Sequence, residues 1–225
     1  MNSTLLPQLR ESLNQKWQDR ELKKKMLRSK HTLTSLKSKK LPLVINLFGG
    51  PGCGKSTQAA YIFSRLKMLG LNVELVTEVA KDFVWEHNEK SLDCQPYVFG
   101  KQCYRLDRCK DEVDIIVSDS PLILGAFYNY DKGIEPEFTK TVVKKFKTYN
   151  NLNFFVNRVS HEYELKGRIH TQEEAFTIDK QLKSKLKKFH IPFTYIDGKI
   201  EEVEKIISWI KENFPNESKK EEDLS

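Results

Sequence analysis

The chemistry-bearing residues of this chain cluster first in one run, Gly49-Gly50-Pro51-Gly52-Cys53-Gly54-Lys55-Ser56-Thr57. It fits the phosphate-binding pattern G-x-x-x-x-G-K-S/T, follows the apolar run Leu43–Phe48 and opens a segment of helical periodicity. Glycines in such a loop let successive backbone N–H groups converge on phosphate oxygens, and the helix N-terminus adds partial positive charge. Residues Gly50, Pro51, Gly52, Cys53, Gly54, Lys55, Ser56 and Thr57 are therefore expected to cradle a nucleoside triphosphate. Lys55 should reach the β/γ-phosphates and the Ser56 hydroxyl should sit on Mg²⁺. ATP with Mg²⁺ is the expected pair, with GTP left open as donor.

A second group of residues has the spacing of acids and bases around that loop. Val113-Asp114-Ile115-Ile116-Val117-Ser118-Asp119 reads as an apolar strand delivering Asp119 at its carboxyl end. Open α/β sheets bind ligands at that edge, so Asp119 is expected to hold Mg²⁺ directly or through water. Asp114 opens the strand and falls on the opposite edge. Glu78 and Lys81 follow the second apolar run and share a helix face if the chain turns helical there. Glu78 then suits an acceptor hydroxyl proton or ribose hydroxyls, and Lys81 an anionic substrate, against the plainer alternative of a surface ion pair. Gln95, Gln102, Arg105 and Arg108 lie along the next helix, where they either read a base or phosphate or simply form its polar face. Tyr128 and Tyr130 offer rings for stacking, unless they are half-buried beside the core. Arg168, in the polar segment after Arg158, is expected to close over the phosphates. His161 and His170 read as solvated.

Positioning these groups requires alternating strands and helices. Apolar runs at Leu43–Phe48, Val73–Val76, Val113–Val117, Leu152–Val156 and Pro192–Ile196 predict five strands, and amphipathic stretches between them predict a parallel α/β sheet. The helix after the loop carries Ala59, Phe63 and Leu66 on one face and stops at Gly70; another spans roughly 93–110. Thr171-Gln172-Glu173-Glu174 is a capping box, followed at helical spacing by Ala175, Ile178, Leu182, Leu186 and Phe189. A last helix uses Val203, Ile206, Ile207, Ile210 and Phe214 and is closed by Pro215.

With 225 residues the chain suits one domain with an extension. The net charge of +7 is uneven: residues 1–40 hold 11 Lys/Arg against 3 Asp/Glu, while residues 41–225 hold 27 against 28. The expected organisation is a basic N-terminal extension over 1–40, a catalytic body over 41–214 and a polar, disordered tail over 215–225. The extension offers a surface for nucleic acid or anionic membrane, or is simply solvated. No stretch approaches the ~18 apolar residues of a membrane span, and no signal peptide is evident. The four cysteines include no C-x-x-C pair, which argues against zinc, and Cys53 inside the loop favours a reduced, cytoplasmic setting.

Together these motifs resemble P-loop kinases of the nicotinamide-riboside kinase type, as in the kinase domain of bacterial NadR proteins, and the related AAA-type ATPase/kinase family. The residues that carry the resemblance are the phosphate loop with Lys55, Glu78-x-x-Lys81-Asp82-Phe83-Val84, Gln95 with Gln102, Ser118-Asp119-Ser120-Pro121, and Tyr130. Gly167-Arg168, Glu174-Ala175 and Ile178-Asp179 extend it, so that it covers about 41–200. The resemblance implies a three-layer P-loop NTPase fold with a mainly parallel five-stranded sheet. It implies a kinase moving the γ-phosphoryl group of ATP onto a small nucleoside-like or nucleotide-like acceptor. Lys55, Glu78, Asp119 and Arg168 would be catalytic, with Lys81, Gln102, Arg105 and Tyr130 on the substrate. Lys81 replaces the Arg of the bacterial kinase, and Asp119-Ser120-Pro121 its Asp-Thr-Asp; Lys and Arg differ in phosphate contacts, which leaves the acceptor open. The acid-x-x-base pattern after strand two is also similar to that of phage-type polynucleotide 5′-hydroxyl kinases. A nucleotide-dependent regulatory protein with slow hydrolysis is the remaining alternative.

Overall fold

In a computed structural model of the chain, residues 41–158 and 171–213 are described. The basic extension over 1–40, the segment with Arg168, and everything from Phe214 onward lie outside them.

Strand β1 (Leu43–Phe48) is buried at all six positions, as a central strand covered on both faces must be. The other strands are β2 (Val73–Val76), β3 (Ile115–Ser118), β4 (Asn150–Asn157) and β5 (Thr194–Asp197). They form a parallel sheet in the order β2-β3-β1-β4-β5. Parallel neighbours need long crossovers, and helices supply them. These are α1 (Lys55–Met68), α2 (Val79–Trp85), α3 (Gln95–Asp107), α4 (Leu124–Tyr128), α5 (Glu137–Phe146), α6 (Gln172–Lys188) and α7 (Ile200–Asn213). The expected P-loop α/β architecture is thus present.

Side-chain alternation divides the core into two layers. Leu43, Ile45 and Leu47 of β1, with Ile115, Val117, Phe154 and Val156, are fully buried, as are Ile62 and Leu66 of α1 and Ile206 and Ile210 of α7. Helices α1 and α7 also pack on one another. The opposite face, through Val44, Phe48, Ile116 and Phe155, joins Leu106 of α3, Phe127 of α4, Phe146 of α5 and Leu182 of α6 in one apolar cluster. Asn46 is the polar exception in β1. Its Nδ2 donates to the Oδ1 atoms of Asn151 (2.8 Å) and Asn153 (3.0 Å) on β4. Asn153 in turn donates to the Pro192 carbonyl at 3.0 Å. This satisfied amide network favours the register in which Asn46 faces Asn153 over a one-residue slip.

Several boundaries differ from the sequence expectation for local reasons. Strand β3 starts at Ile115 because Val113 and Asp114 still donate to the turn carbonyls of Cys109 and Asn72. Strand β5 starts at Thr194, past Pro192, which has no N–H for a ladder. Helix α3 begins at Gln95 after a 3-10 turn over Glu89–Asp93, and Pro96 fits its first turn. Helices α4 and α5 had no counterpart in the periodicity reading. Helix α4 has five residues, and α5 carries Thr and Val with modest helix propensity, so burial of Phe127, Val142 and Phe146 sustains them. Among the described residues no helix is long and apolar enough to cross a membrane.

The capping box at the start of α6 is present: Glu174 N–H donates to the Thr171 hydroxyl, and Thr171 N–H to the Glu174 carboxylate at 2.7 Å. Thr171→Ala should therefore cost about 1 kcal/mol. For a chain of this size that lowers Tm by roughly 2–4 °C, which calorimetry of the purified variant checks.

Candidate active site

The phosphate loop leaves β1 through a backbone turn that only glycine accommodates. Gly49 has φ 144°, and a Cβ there would lie 2.4 Å from the Cys53 Sγ and 3.2 Å from the Val156 carbonyl. Helix α1 then opens at Lys55 with Gly54 as N-cap, no capping side chain and no acid in its first turn. The N–H groups there are free of side-chain acceptors, unlike those of α6, and the helix dipole is uncompensated. An anion of phosphate type is the natural complement. Lys55 Nζ rests on the Gly50 carbonyl at 3.0 Å, inside the loop it is to serve. Ser56 is exposed in the first turn of α1.

Strand register brings the two acids to the same edge. Asn46 of β1 pairs with Ser118 of β3, and Ser118 with Val76 of β2. Asp119 is thus one residue past the paired level and Glu78 two residues past it, next to the loop that follows Phe48. Asp119 is 5 % exposed, and its Oδ1 has no hydrogen-bond partner. A buried carboxylate oxygen without a donor is costly unless an ion satisfies it. That orphaned oxygen and the exposed Ser56 hydroxyl are hard oxygen donors, a set that fits Mg²⁺.

Glu78 sits at the N-cap of α2 with an extended backbone. Burial pushes its carboxyl above the usual range, Lys55 pulls it down and Asp119 pushes it up. Lys55 and Asp119 thus both act electrostatically on Glu78. Lys81, exposed on α2, also acts electrostatically on Glu78.

Two helix α3 residues hydrogen-bond the backbone around Glu78. Gln102 is buried and brackets Glu78: its Oε1 accepts from Val79 N–H at 3.0 Å, and its Nε2 donates to the Thr77 carbonyl at 3.1 Å. Arg105 donates to the Thr77 carbonyl and hydroxyl and pairs with Asp82. Both brace the turn that presents Glu78, so their polar groups are engaged by the protein itself. Gln95 is likewise buried, donating to the Leu92 carbonyl at 2.8 Å. Of the two tyrosines, Tyr130 is 82 % exposed, whereas Tyr128 lies inward. Burial raises the Tyr128 phenol, and Glu78, Tyr130 and Asp179 raise it further. Tyr128 packs half-buried against the apolar cluster. Arg168 lies outside the described residues.

The sequence analysis names Asp179 only within the Ile178-Asp179 stretch of the family resemblance and assigns it no role. It stands one residue past Ile178 on the core-facing stripe of α6. Its carboxylate accepts from Gly50 N–H and from Arg158 Nε, the latter at 2.8 Å.

The raised Glu78 carboxyl carries a stability consequence. Below the ordinary carboxylate pKa of ~4.3, Glu78 is protonated folded or unfolded and costs nothing; stability falls as pH rises through the higher folded value. Glu78→Gln removes this penalty. In nucleotide-free buffer the variant should melt above the parent at pH 8, with the gap closing toward pH 4. Superimposable melting curves across that range would contradict the buried charge.

Comparison with other proteins agrees with this geometry. The AAA domain family profile matches residues 44–202, from β1 into α7. No curated protein sequence matches the chain. The solved NadR protein in complex with NAD and AMP-PNP is similar in fold, with TM-score 0.56 and 14 % identity, covering 78 % of this chain and 50 % of that one. The NadR complex with NR gives 0.52 and 13 % over the same shares. The chain thus spans half the length of those NadR chains. Deoxyadenosine kinase from M. mycoides with bound dATP gives 0.44 and 20 %, over 77 % of this chain and 100 % of that one. The profile covers well over half the sequence, and the chain belongs to the AAA-domain family, with a P-loop α/β fold similar to that of NadR.

Proposed function

We propose that this chain is a phosphotransferase that moves the γ-phosphoryl group of ATP onto a hydroxyl of a nucleoside-like or nucleotide-like acceptor. The observation that carries the reading is the geometry of the carboxyl edge: the uncapped first turn of α1 with Lys55 on the Gly50 carbonyl, the unpartnered Asp119 Oδ1, and Glu78 at the start of α2 on strands in register. Backbone N–H groups of Gly52–Thr57 would hold the phosphates, and Lys55, one N–H on the Gly50 carbonyl, would offer its other donors to the β/γ oxygens. Ser56 and Asp119 would hold Mg²⁺, which when bound supplies charge neutralisation for the phosphates. Glu78 would accept the acceptor's hydroxyl proton as its oxygen bonds to the γ-phosphorus and the bond to the β-phosphate oxygen breaks. Proton transfer of this kind favours a base whose pKa lies nearer neutrality than a free carboxylate's, the direction in which burial moves Glu78. Tyr128 would line the acceptor side, with Lys81 near an anionic group on it. Arg168 would neutralise charge from the segment before α6. That NadR, similar in fold, has been solved in complex with NR supports a nucleoside-like acceptor.

Screening labelled ATP against nucleosides, nicotinamide riboside, nucleoside monophosphates and 5′-hydroxyl oligonucleotides tests the reading. A productive acceptor should stimulate ATP consumption; a regulatory NTPase would show slow loss indifferent to every candidate. Lys55→Ala should remain folded by circular dichroism and lose transfer. Glu78→Gln should lower acceptor phosphorylation by ~10²-fold or more while ATP affinity barely moves. An equal loss of ATP affinity would place Glu78 on the donor side.

Deleting residues 1–40 should leave an ATP-binding domain, since every element described begins after them. A small acceptor should then be phosphorylated at nearly the parent rate. If instead the acceptor is a polynucleotide held by the basic arm, truncation should weaken binding and flatten its salt dependence by about 0.7 in log–log slope per lost phosphate contact.

A further inference from the structure

One buried carboxylate joins three elements around the phosphate loop. Asp179, on α6, divides its oxygens: Oδ1 accepts from Gly50 N–H and Oδ2 from Arg158 Nε, just past the end of β4. The Arg158 and Asp179 side chains are only 10 % and 12 % exposed. Arg158 also donates to the Ala175 carbonyl at 3.4 Å and lies 5.3 Å from the centre of the Phe176 ring. Gly50 is pressed into this cluster. A Cβ there would meet the Ala175 carbonyl at 2.8 Å, Asp179 Oδ1 at 2.9 Å and Arg158 Nη2 at 3.0 Å.

Gly50 is held at both ends. Its N–H points to Asp179, and its carbonyl holds the Lys55 ammonium at 3.0 Å. Pro51 follows with no N–H to offer, so the N–H groups left for phosphate are those from Gly52 onward. Asp179 therefore anchors the rim of the loop without taking a phosphate donor from its interior. A carboxylate so close to an anion site would repel phosphate, but Arg158 neutralises it.

Resting on the phosphotransferase reading above, we propose that Asp179 is a positioning residue for Lys55. It holds the Gly49–Gly50 peptide through its N–H, and so places the Gly50 Cα from which the next peptide turns its carbonyl to the Lys55 ammonium at the loop mouth. Arg158 keeps the anchor electrically neutral and couples it to β4. The residue touches neither phosphate nor acceptor and acts through Gly50 alone.

The test compares two variants that differ only in the acceptor offered to Gly50: Arg158→Met/Asp179→Asn and Arg158→Met/Asp179→Leu. Removing Arg158 in both avoids stranding a buried cation. ATP affinity is measured by titration calorimetry, with circular dichroism and melting curves to establish folding. With Lys55 present, the Leu variant should bind ATP about 5-fold or more weakly than the Asn variant, the scale of one hydrogen bond. Adding Lys55→Ala to both should shrink the difference to within about 2-fold, because the anchor's partner is gone. A difference of the same size in both backgrounds would overturn the proposal, as would no difference at all, since a merely structural bond is blind to Lys55. If the Leu variant does not fold, Gly50→Ala gives the same information. Its Cβ, pressed against the Ala175 carbonyl and Asp179, drives the loop off Asp179, and the ATP-affinity loss should again disappear in the Lys55→Ala background. Parent-level affinity in Gly50→Ala would overturn the role of Asp179. A parent chain that binds no ATP would overturn the phosphotransferase reading itself, an outcome separable from the others.

Discussion

Parallel pairing of β1 between β3 and β4 is the constraint on which the rest depends. A strand with neighbours on both sides must satisfy its backbone along each edge, which leaves little freedom for slippage. Apolar side chains then have to alternate between two helical layers, and Asn46 has to meet the asparagines of β4. Once that register holds, the loops after β1, β2 and β3 emerge together at one edge. The phosphate loop, Glu78 and Asp119 are adjacent because their strands are in register.

Charge at that edge is arranged for a ligand that is itself strongly anionic. The first turn of α1 keeps its N–H groups uncapped, and Lys55 waits on a neutral carbonyl. Glu78 and Asp119 repel one another across the gap, and Asp119 retains an oxygen without a donor. Each feature costs stability in the free chain. Bound phosphate and a divalent cation would relieve these costs together, which is how a site built for binding differs from a core built for packing. Helix α6 shows the contrast, with its N-terminus closed by Thr171 and Glu174.

Buried polar side chains around the edge form a scaffold one layer behind the chemistry. Gln102 spans the backbone on both sides of Glu78, Arg105 ties Thr77 to Asp82, and Asp179 grips Gly50. Gln58 performs a similar task on the far side, donating to the Gly198 carbonyl at 2.7 Å and tying α1 to the loop after β5. Such contacts hold reactive groups to fractions of an ångström, the tolerance that phosphoryl transfer by positioning demands.

The sequence by itself determined the phosphate loop, the alternation of strands and helices, the capping box before α6 and the delivery of Glu78 and Asp119 at strand ends. Those features are local: glycine geometry, apolar periodicity and capping chemistry act within a few residues of one another. Tertiary structure decided which protein groups the polar residues meet. A helix face records the polarity of Gln102 and Arg105 without recording a partner; both hydrogen-bond the Thr77–Val79 backbone, more than 20 residues away. Asp179 and Gly50 are separated by 129 residues, so no pattern along the chain could join them. Likewise Tyr128 and Tyr130 are two residues apart and chemically alike; only the packing of α4 half-buries one against the core and leaves the other to solvent.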